Sequence, residues 1–154
     1  SLASVPQLRG TFLVMNGDLL TSIDYRALLA HHHAKKSLLT IARHRKDVKI
    51  DLGILKTDDD GCVIDYVEKP TLSYGVSMGI YVYDEEVLSY IQPGDYLDFP
   101  SLVLRLLAAG RKVSPFEDEA VWLDLGRLED LQKATEIFQE RRAEFLPGAL
   151  RVVA

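Results

Sequence analysis

Thr11-Phe-Leu-Val-Met-Asn-Gly-Asp18 is an apolar run that ends on a carboxylate. Phe12 to Met15 contains no polar residue, as expected for a strand buried on both faces. A carboxylate just past the carboxyl end of such a strand sits where α/β sheets bind their ligands. A second stretch of this kind, Val121-Trp-Leu-Asp-Leu-Gly126, carries Asp124. Two carboxylates far apart in sequence but joined by a sheet can hold one divalent cation through oxygen ligands. Between them, Val67-Glu-Lys-Pro70 places an acid and a base at a strand end, stiffened by proline. This order suggests chemistry on a phosphorylated substrate.

Working outward, Ser22 or Asp24 can cap a helix in which Tyr25, Leu28, Leu29 and His32 follow helical spacing. Ser37 to Ala42 reads as the next strand, and a helical crossover between the two strands makes them parallel. Ile50 to Lys56 and Cys62 to Val67 read as strands joined by Thr57-Asp-Asp-Asp-Gly61, whose Asp-Gly step predicts an antiparallel hairpin. Val76, Met78, Ile80 and Val82 alternate with Ser77, Gly79, Tyr81 and Tyr83, a period-two strand. Asp84 caps a short helix to about Tyr90, and residues 92–95 form a loop. Asp98 caps the next helix, with Pro100 in its first turn and Gly110 at its end. Its stripe is Leu102, Val103, Leu106 and Leu107. Val113 to Glu117 and Ala120 to Leu123 are further strands, and the last helix runs from about Leu128 to Phe145, stopped by Pro147-Gly148. The pattern predicts one α/β domain over 1–154, with a mixed, mostly parallel Rossmann-like sheet flanked by helices and an embedded antiparallel hairpin.

The bulk numbers narrow the function. A net charge of -5 argues against a nucleic-acid partner, whose binders present a basic face. The basic cluster Arg43-His-Arg-Lys46 reads as a solvated loop. No apolar run approaches the roughly 18 residues that cross a membrane, and Ser1 to Gly10 lacks the apolar core of a signal peptide. The lone Cys62 excludes an internal disulfide and points to a reducing, cytoplasmic setting. Lying among apolar strand residues, it reads as a buried structural thiol.

Each site motif also admits a plainer reading. Asp18 could begin a turn in which Gly17 takes positive φ, Asp124 could cap the following helix, and Glu68-Lys69 could be a surface ion pair. Asp58-Asp-Asp-Gly61 lacks the glycine position and the twelfth-place glutamate of a calcium loop, so it reads as a solvated turn. His31-His-His33 on a helix point about 100° apart and cannot converge on one ion. Gly79 inside a good strand marks close approach by a ligand. The absence of Gly-x-Ser-x-Gly, Cys-x-x-Cys and Walker-type loops leaves nucleophilic catalysis without support.

Taken together and in order, these motifs resemble the sugar nucleotidyltransferases (nucleoside-diphosphate-sugar pyrophosphorylases). That family includes mannose-1-phosphate guanylyltransferases and glucose-1-phosphate thymidylyl- and uridylyltransferases. The likeness is carried by Phe12 to Asp18, Asp51-Leu-Gly-Ile54, Glu68-Lys-Pro70, Gly79-Ile-Tyr-Val-Tyr-Asp84, Asp98-Phe-Pro100 and Trp122 to Gly126, and covers roughly Thr11 to Leu146. It implies a truncated nucleotide-diphospho-sugar transferase fold. It further implies that Asp18 and Asp124 bind catalytic Mg²⁺, that Lys69 contacts the sugar phosphate, and that Glu68 hydrogen-bonds sugar hydroxyls. Gly53 and Gly79 would let the backbone approach the sugar. The implied reaction is attack by a sugar-1-phosphate oxygen on the α-phosphorus of a nucleoside triphosphate, releasing pyrophosphate. Such a reaction demands alignment and charge neutralisation rather than a covalent catalyst.

Two departures shape the expectation. Asp51 and Leu52 stand where the family has an aromatic residue before glycine, and the family's Gly-x-Gly-x-x-Arg segment for the triphosphate has no match. The chain is therefore expected not to transfer nucleotides by itself, and Phe12 to Met15, without strand neighbours, to form an apolar edge through which copies associate as a homo-oligomer. The alternatives are a non-catalytic sugar-phosphate-binding or assembly module and a metal-dependent glycosyltransferase built on Asp58-x-Asp60.

Overall fold

The computed structural model describes residues 9–92, 94 and 96–146. In chain order its elements are β1 (Thr11–Met15), β2 (Leu19–Thr21), α1 (Tyr25–Lys35), β3 (Leu39–Lys49), β4 (Ile54–Thr57), β5 (Val63–Val67) and β6 (Thr71–Asp84). A 3-10 helix (Glu85–Tyr90), α2 (Phe99–Ala108), β7 (Val113–Glu117), β8 (Trp122–Asp124), α3 (Leu128–Glu140) and α4 (Arg142–Phe145) follow.

The main sheet has the order β1-β6-β3-β7. β6 runs antiparallel to both of its neighbours, and β3 pairs with β7 in parallel. β1 and β3 therefore point the same way, as the helical crossover through α1 requires. β6 is inserted between them, however, so the sheet is mostly parallel in strand direction and mostly antiparallel in its hydrogen-bonded pairs. Two ribbons, β2–β8 and β4–β5, stand outside this sheet.

The alternation along β6 builds two cores. Met78, Ile80 and Val82 are fully buried on one face, with Ile23 and Leu28 from the α1 region and Ala42 from β3. Tyr81 and Tyr83 pack on the other face with Leu39, Val87, Leu102 and Leu106. Each of the buried Met, Ile, Val and Leu side chains contributes about 1.5–3 kcal/mol. The helices lie where the caps place them. Asp24 accepts from the N–H groups of Arg26 and Ala27, while Ser22 Oγ instead accepts from the Val121 N–H, tying α1 to the β8 segment. Asp84 and Asp98 cap the 3-10 helix and α2 through the N–H groups of Glu86 and Ser101. Gly110, at φ +66°, follows α2.

Several expectations need correction. Arg43 to Lys46 is not a loop but the middle of β3, paired with Ser77 to Tyr74 of β6. The ladder satisfies its backbone, Arg43 pairs with Glu117, and Arg45 and Lys46 are exposed, Arg45 reaching Asp47 and Ser73. Cys62 is exposed rather than buried, because the β4–β5 ribbon leaves both faces in solvent. The first hairpin strand begins at Ile54, not Ile50. Leu107 is exposed, outside the stripe formed by Leu102 and Leu106. The final helix is interrupted at Arg141. Pro93, Asp95, Pro147 and Gly148, assigned to a loop and a helix stop, lie outside the described residues.

Candidate active site

Where β1 ends, the Asn16 N–H donates to the Gly79 carbonyl at 2.9 Å. Gly79 has φ +73°, and a Cβ there would lie 2.8 Å from Asn16 Nδ2 and 3.2 Å from Leu19 Cδ1. Only glycine accommodates both the left-handed backbone and this close approach. Gly79 thus seats the Asn16-Gly-Asp18 turn against β6. Gly17 itself is not in the left-handed region, so the chain bends here without the positive φ expected at that glycine.

The chain then enters β2, which pairs antiparallel with β8 in the register Leu19↔Asp124, Leu20↔Leu123 and Thr21↔Trp122. The Leu125 N–H donates to the Asp18 carbonyl at 2.8 Å. Asp18 and Asp124 are therefore staggered neighbours across one ribbon, although 106 positions (124 minus 18) separate them in sequence. Both are exposed. Asp18 lies in the bend before β2, where strand alternation does not dictate its side-chain direction. Asp124 Oδ1 accepts from the Gly126 N–H at 3.2 Å. The residue that precedes α3 is Arg127, without a side-chain cap, so Asp124 is not the cap of that helix.

Trp122 fastens the ribbon to the sheet. Its indole N–H donates to the Met78 carbonyl at 2.9 Å, one residue before Gly79. The His44 ring of β3 lies 5.7 Å from the Trp122 ring. Asn16 and Trp122 were not singled out as site residues from sequence, because each acts through a hydrogen bond to a distant strand.

Oxygen donors alone fit a hard divalent cation. Among the described residues no group of three or more histidine, cysteine, aspartate or glutamate side chains converges. Two carboxylates with the remaining positions left to water and phosphate oxygens is the way Mg²⁺ is commonly held.

The other predicted residues lie elsewhere. Glu68-Lys69-Pro70 links β5 to β6, and the Pro70 carbonyl accepts from the Ile50 N–H at 3.0 Å. Lys69 holds φ +44°, an uncommon conformation for a non-glycine residue. Its Nζ lies 3.9 Å from Glu68 Oε1, and with the two side chains 59% and 56% exposed this pair adds little stability. Glu68 Oε2 instead accepts a 2.6 Å hydrogen bond from the Tyr66 hydroxyl. Tyr66 was missed from sequence; it lies on β5 and Glu68 directly after that strand, and their spacing of two brings the side chains to one side. A Cβ on Gly53 would lie 2.1 Å from the Tyr66 hydroxyl oxygen. The room beside Gly53 is thus filled by Tyr66.

Along β6, Thr71 and Gly79 are separated by eight residue steps, about 26 Å on a straight strand. The structure therefore brings Asp18, Asp124 and Gly79 together with Asn16 and Trp122. It sets Gly53, Glu68 and Lys69 together at the other end of β6. On the opposite face of the sheet, a cleft of about 420 Å³ lies beside β1, lined by Val14, Asn16, Tyr81, Tyr83 and Phe99 among others. There the rings of Tyr81 and Phe99 stack at 3.8 Å.

Comparison with known proteins follows the same outline. The sequence signature described as Nucleotidyl transferase matches residues 3–141. A UTP--glucose-1-phosphate uridylyltransferase of Synechocystis is 29% identical over 136 residues, which are 84% of this chain and 35% of that protein. A glucose-1-phosphate adenylyltransferase of Desulfitobacterium hafniense is 32% identical over 145 residues, 86% of this chain and 36% of that protein. The crystal structure of HddC from Yersinia pseudotuberculosis aligns with a TM-score of 0.56 at 26% identity, over 84% of this chain and 56% of that one. The chain thus spans about a third of the length of the curated relatives it matches.

Proposed function

This chain belongs to the nucleotidyl transferase family, and from that premise we propose that it carries the metal-binding and sugar-phosphate side of a site that joins a nucleoside triphosphate to a sugar-1-phosphate. The products are a nucleoside-diphosphate sugar and pyrophosphate. The observation that carries this reading is the β2–β8 register, which makes Asp18 and Asp124 neighbours beside Gly79.

In this reading Asp18 and Asp124 present oxygen ligands to Mg²⁺. The cation, when bound, offsets charge on the phosphates and aligns them. Lys69 neutralises the phosphate of the sugar-1-phosphate, and Glu68 accepts hydrogen bonds from sugar hydroxyls. This requires β6 to bend between Thr71 and Gly79, where its register with β3 is irregular, so that both ends meet one substrate. Gly79 seats the Asn16-Gly-Asp18 turn, and with it Asp18, against β6. Trp122 keeps the carboxylate ribbon in place through the Met78 carbonyl. The Gly-x-Gly-x-x-Arg loop that binds the triphosphate in such enzymes is not among these 154 residues, so by themselves they do not complete the reaction. Purified chain mixed with Mg²⁺, glucose 1-phosphate and each nucleoside triphosphate should release no pyrophosphate in a coupled assay. Calorimetry should nevertheless detect glucose 1-phosphate binding, and its absence would remove the sugar-phosphate assignment.

One observation favours a second reading, a non-catalytic sugar-phosphate-binding module. Glu68 and Lys69 stand at the far end of β6 from the two aspartates, so they could hold a sugar phosphate independently of the metal. Binding of glucose 1-phosphate that survives combined Asp18→Asn and Asp124→Asn substitution would select that module. No helix among the described residues is long and apolar enough to cross a membrane.

A further inference from the structure

The room beside Gly53 has a second use that its backbone does not reveal. The Tyr66 ring lies over that glycine, its hydroxyl oxygen 2.1 Å from where a Cβ would sit. The same hydroxyl donates to Glu68 Oε2 at 2.6 Å. Cross-strand pairing brings these groups together, because Ile54, next to Gly53, lies opposite Val67, between Tyr66 and Glu68. From this we propose that Tyr66 is the positioning residue for Glu68, and that Gly53 acts through Tyr66. This inference rests on the reading of Glu68 as the acceptor for sugar hydroxyls.

The physical argument starts from exposure. Glu68 is more than half exposed and sits in a ribbon without a packed face. Left to itself, such a side chain samples many rotamers, and ordering it on binding would weaken the complex. A hydrogen bond from a phenol on an aromatic ring with only two side-chain torsions removes much of that freedom beforehand. It engages Oε2 and leaves Oε1, the oxygen nearer Lys69, to meet a ligand. A side chain at position 53 would push the ring away and release the carboxylate. Position 53 therefore controls Glu68 from across the ribbon. The contact also has a spectroscopic mark: the hydrogen bond to Glu68 raises the pKa of the Tyr66 phenol above its ordinary value. Among the described residues, Lys69 is the charged side chain paired with this carboxylate.

The test titrates glucose 1-phosphate and inorganic phosphate separately onto the chain and its Tyr66→Phe, Gly53→Ala and doubly substituted forms. Tyr66→Phe should weaken glucose 1-phosphate about tenfold and leave inorganic phosphate unchanged, the order expected for one lost hydrogen bond. Gly53→Ala should do the same, and the double variant should be no weaker than either single one. Additive losses, an equal loss for both ligands, or an unchanged Tyr66→Phe would overturn the inference while leaving the proposed function standing. Failure of the unsubstituted chain to bind glucose 1-phosphate would sink both. Absorbance titration gives a ligand-independent check. The difference between the unsubstituted chain and Tyr66→Phe isolates this phenol, which should ionise at lower pH once Glu68→Gln is introduced, and an unmoved ionisation would also overturn the inference.

Discussion

Leu125 donates its backbone N–H to the Asp18 carbonyl at 2.8 Å, extending the β2–β8 register in which Asp18 is a neighbour of Asp124. Neither aspartate is buried, and each sits at a ribbon end where water and a ligand can reach it. In the proposed reading a cation takes two of its oxygen ligands from these side chains and the rest from water and phosphate.

Removal of either carboxylate should therefore be felt as lost metal affinity. Asp18→Asn and Asp124→Asn should each weaken Mn²⁺, used as a paramagnetic stand-in for Mg²⁺, by at least about tenfold, since even outer partners of a metal ligand cost 10–100-fold. Electron paramagnetic resonance of free Mn²⁺ reads the change. An affinity in either variant unchanged from that of the unsubstituted chain would refute the shared site.

Gly79→Ala should damage both fold and site. The substitution forces a left-handed alanine and pushes a methyl group to within 2.8 Å of Asn16 Nδ2. A loss of about 1–3 kcal/mol is expected from the backbone alone. Urea denaturation measures it, and a change below about 0.5 kcal/mol would show that β6 relaxes at this point.

Stability should fall on mild acidification because of His32. Its Nδ1 lies 2.8 Å from Thr40 Oγ1, and Thr40 Oγ1 lies 3.2 Å from Ser114 Oγ in a buried polar chain. Burial lowers the His32 pKa, the neighbouring His33 and His31 lower it further, and Asp84 opposes them. With the folded pKa below the unfolded one, the unfolded chain binds the additional proton. Stability is thus fully present above the ordinary histidine value of about 6.5 and declines as pH falls from there toward the folded pKa. Denaturation midpoints between about pH 7 and 5 should fall less steeply in His32→Asn, and an identical slope would exclude His32 as the cause.

Self-association is expected through β1. Among the described residues β1 pairs only with β6, so one row of its backbone groups has no strand partner. Met15 is 41% exposed on this strand, and Thr11 to Met15 contains no charge or proline to discourage pairing. Light scattering at high micromolar concentration should show an oligomer that Met15→Lys dissociates. A monomer in the unsubstituted chain would count against an edge-paired assembly.

Much of the fold was legible because it is local. Asp24, Asp84 and Asp98 announce their helices by a short side chain that reaches N–H groups two or three residues ahead. Asp58 and Gly61 announce their turn the same way, through the Cys62 N–H on Asp58 Oδ1 and φ +82° at Gly61. The alternation from Val76 to Tyr83 announces a strand with two buried faces. Arg43 to Lys46 misled because its charges describe the solvent side of a residue while its strand partner, β6, lies some thirty positions away. Cys62 misled for the converse reason. Apolar neighbours such as Val63 and Ile64 predict burial, yet no layer packs on the ribbon that carries them.

The amino-acid order by itself determined most of the elements, the caps at Asp84 and Asp98, the presence of a close approach at Gly79 and the motifs that place the chain in its family. All of these depend on backbone sterics and side-chain reach within a few residues. Only the tertiary structure decided that β6 lies between β1 and β3, that Asp124 meets Leu19 beside Asp18, and that Glu68 and Lys69 lie at the far end of β6 with Tyr66 over Gly53. Those relations are fixed by long-range hydrogen-bond register and by which apolar faces find each other, and neither is written in any short stretch of sequence.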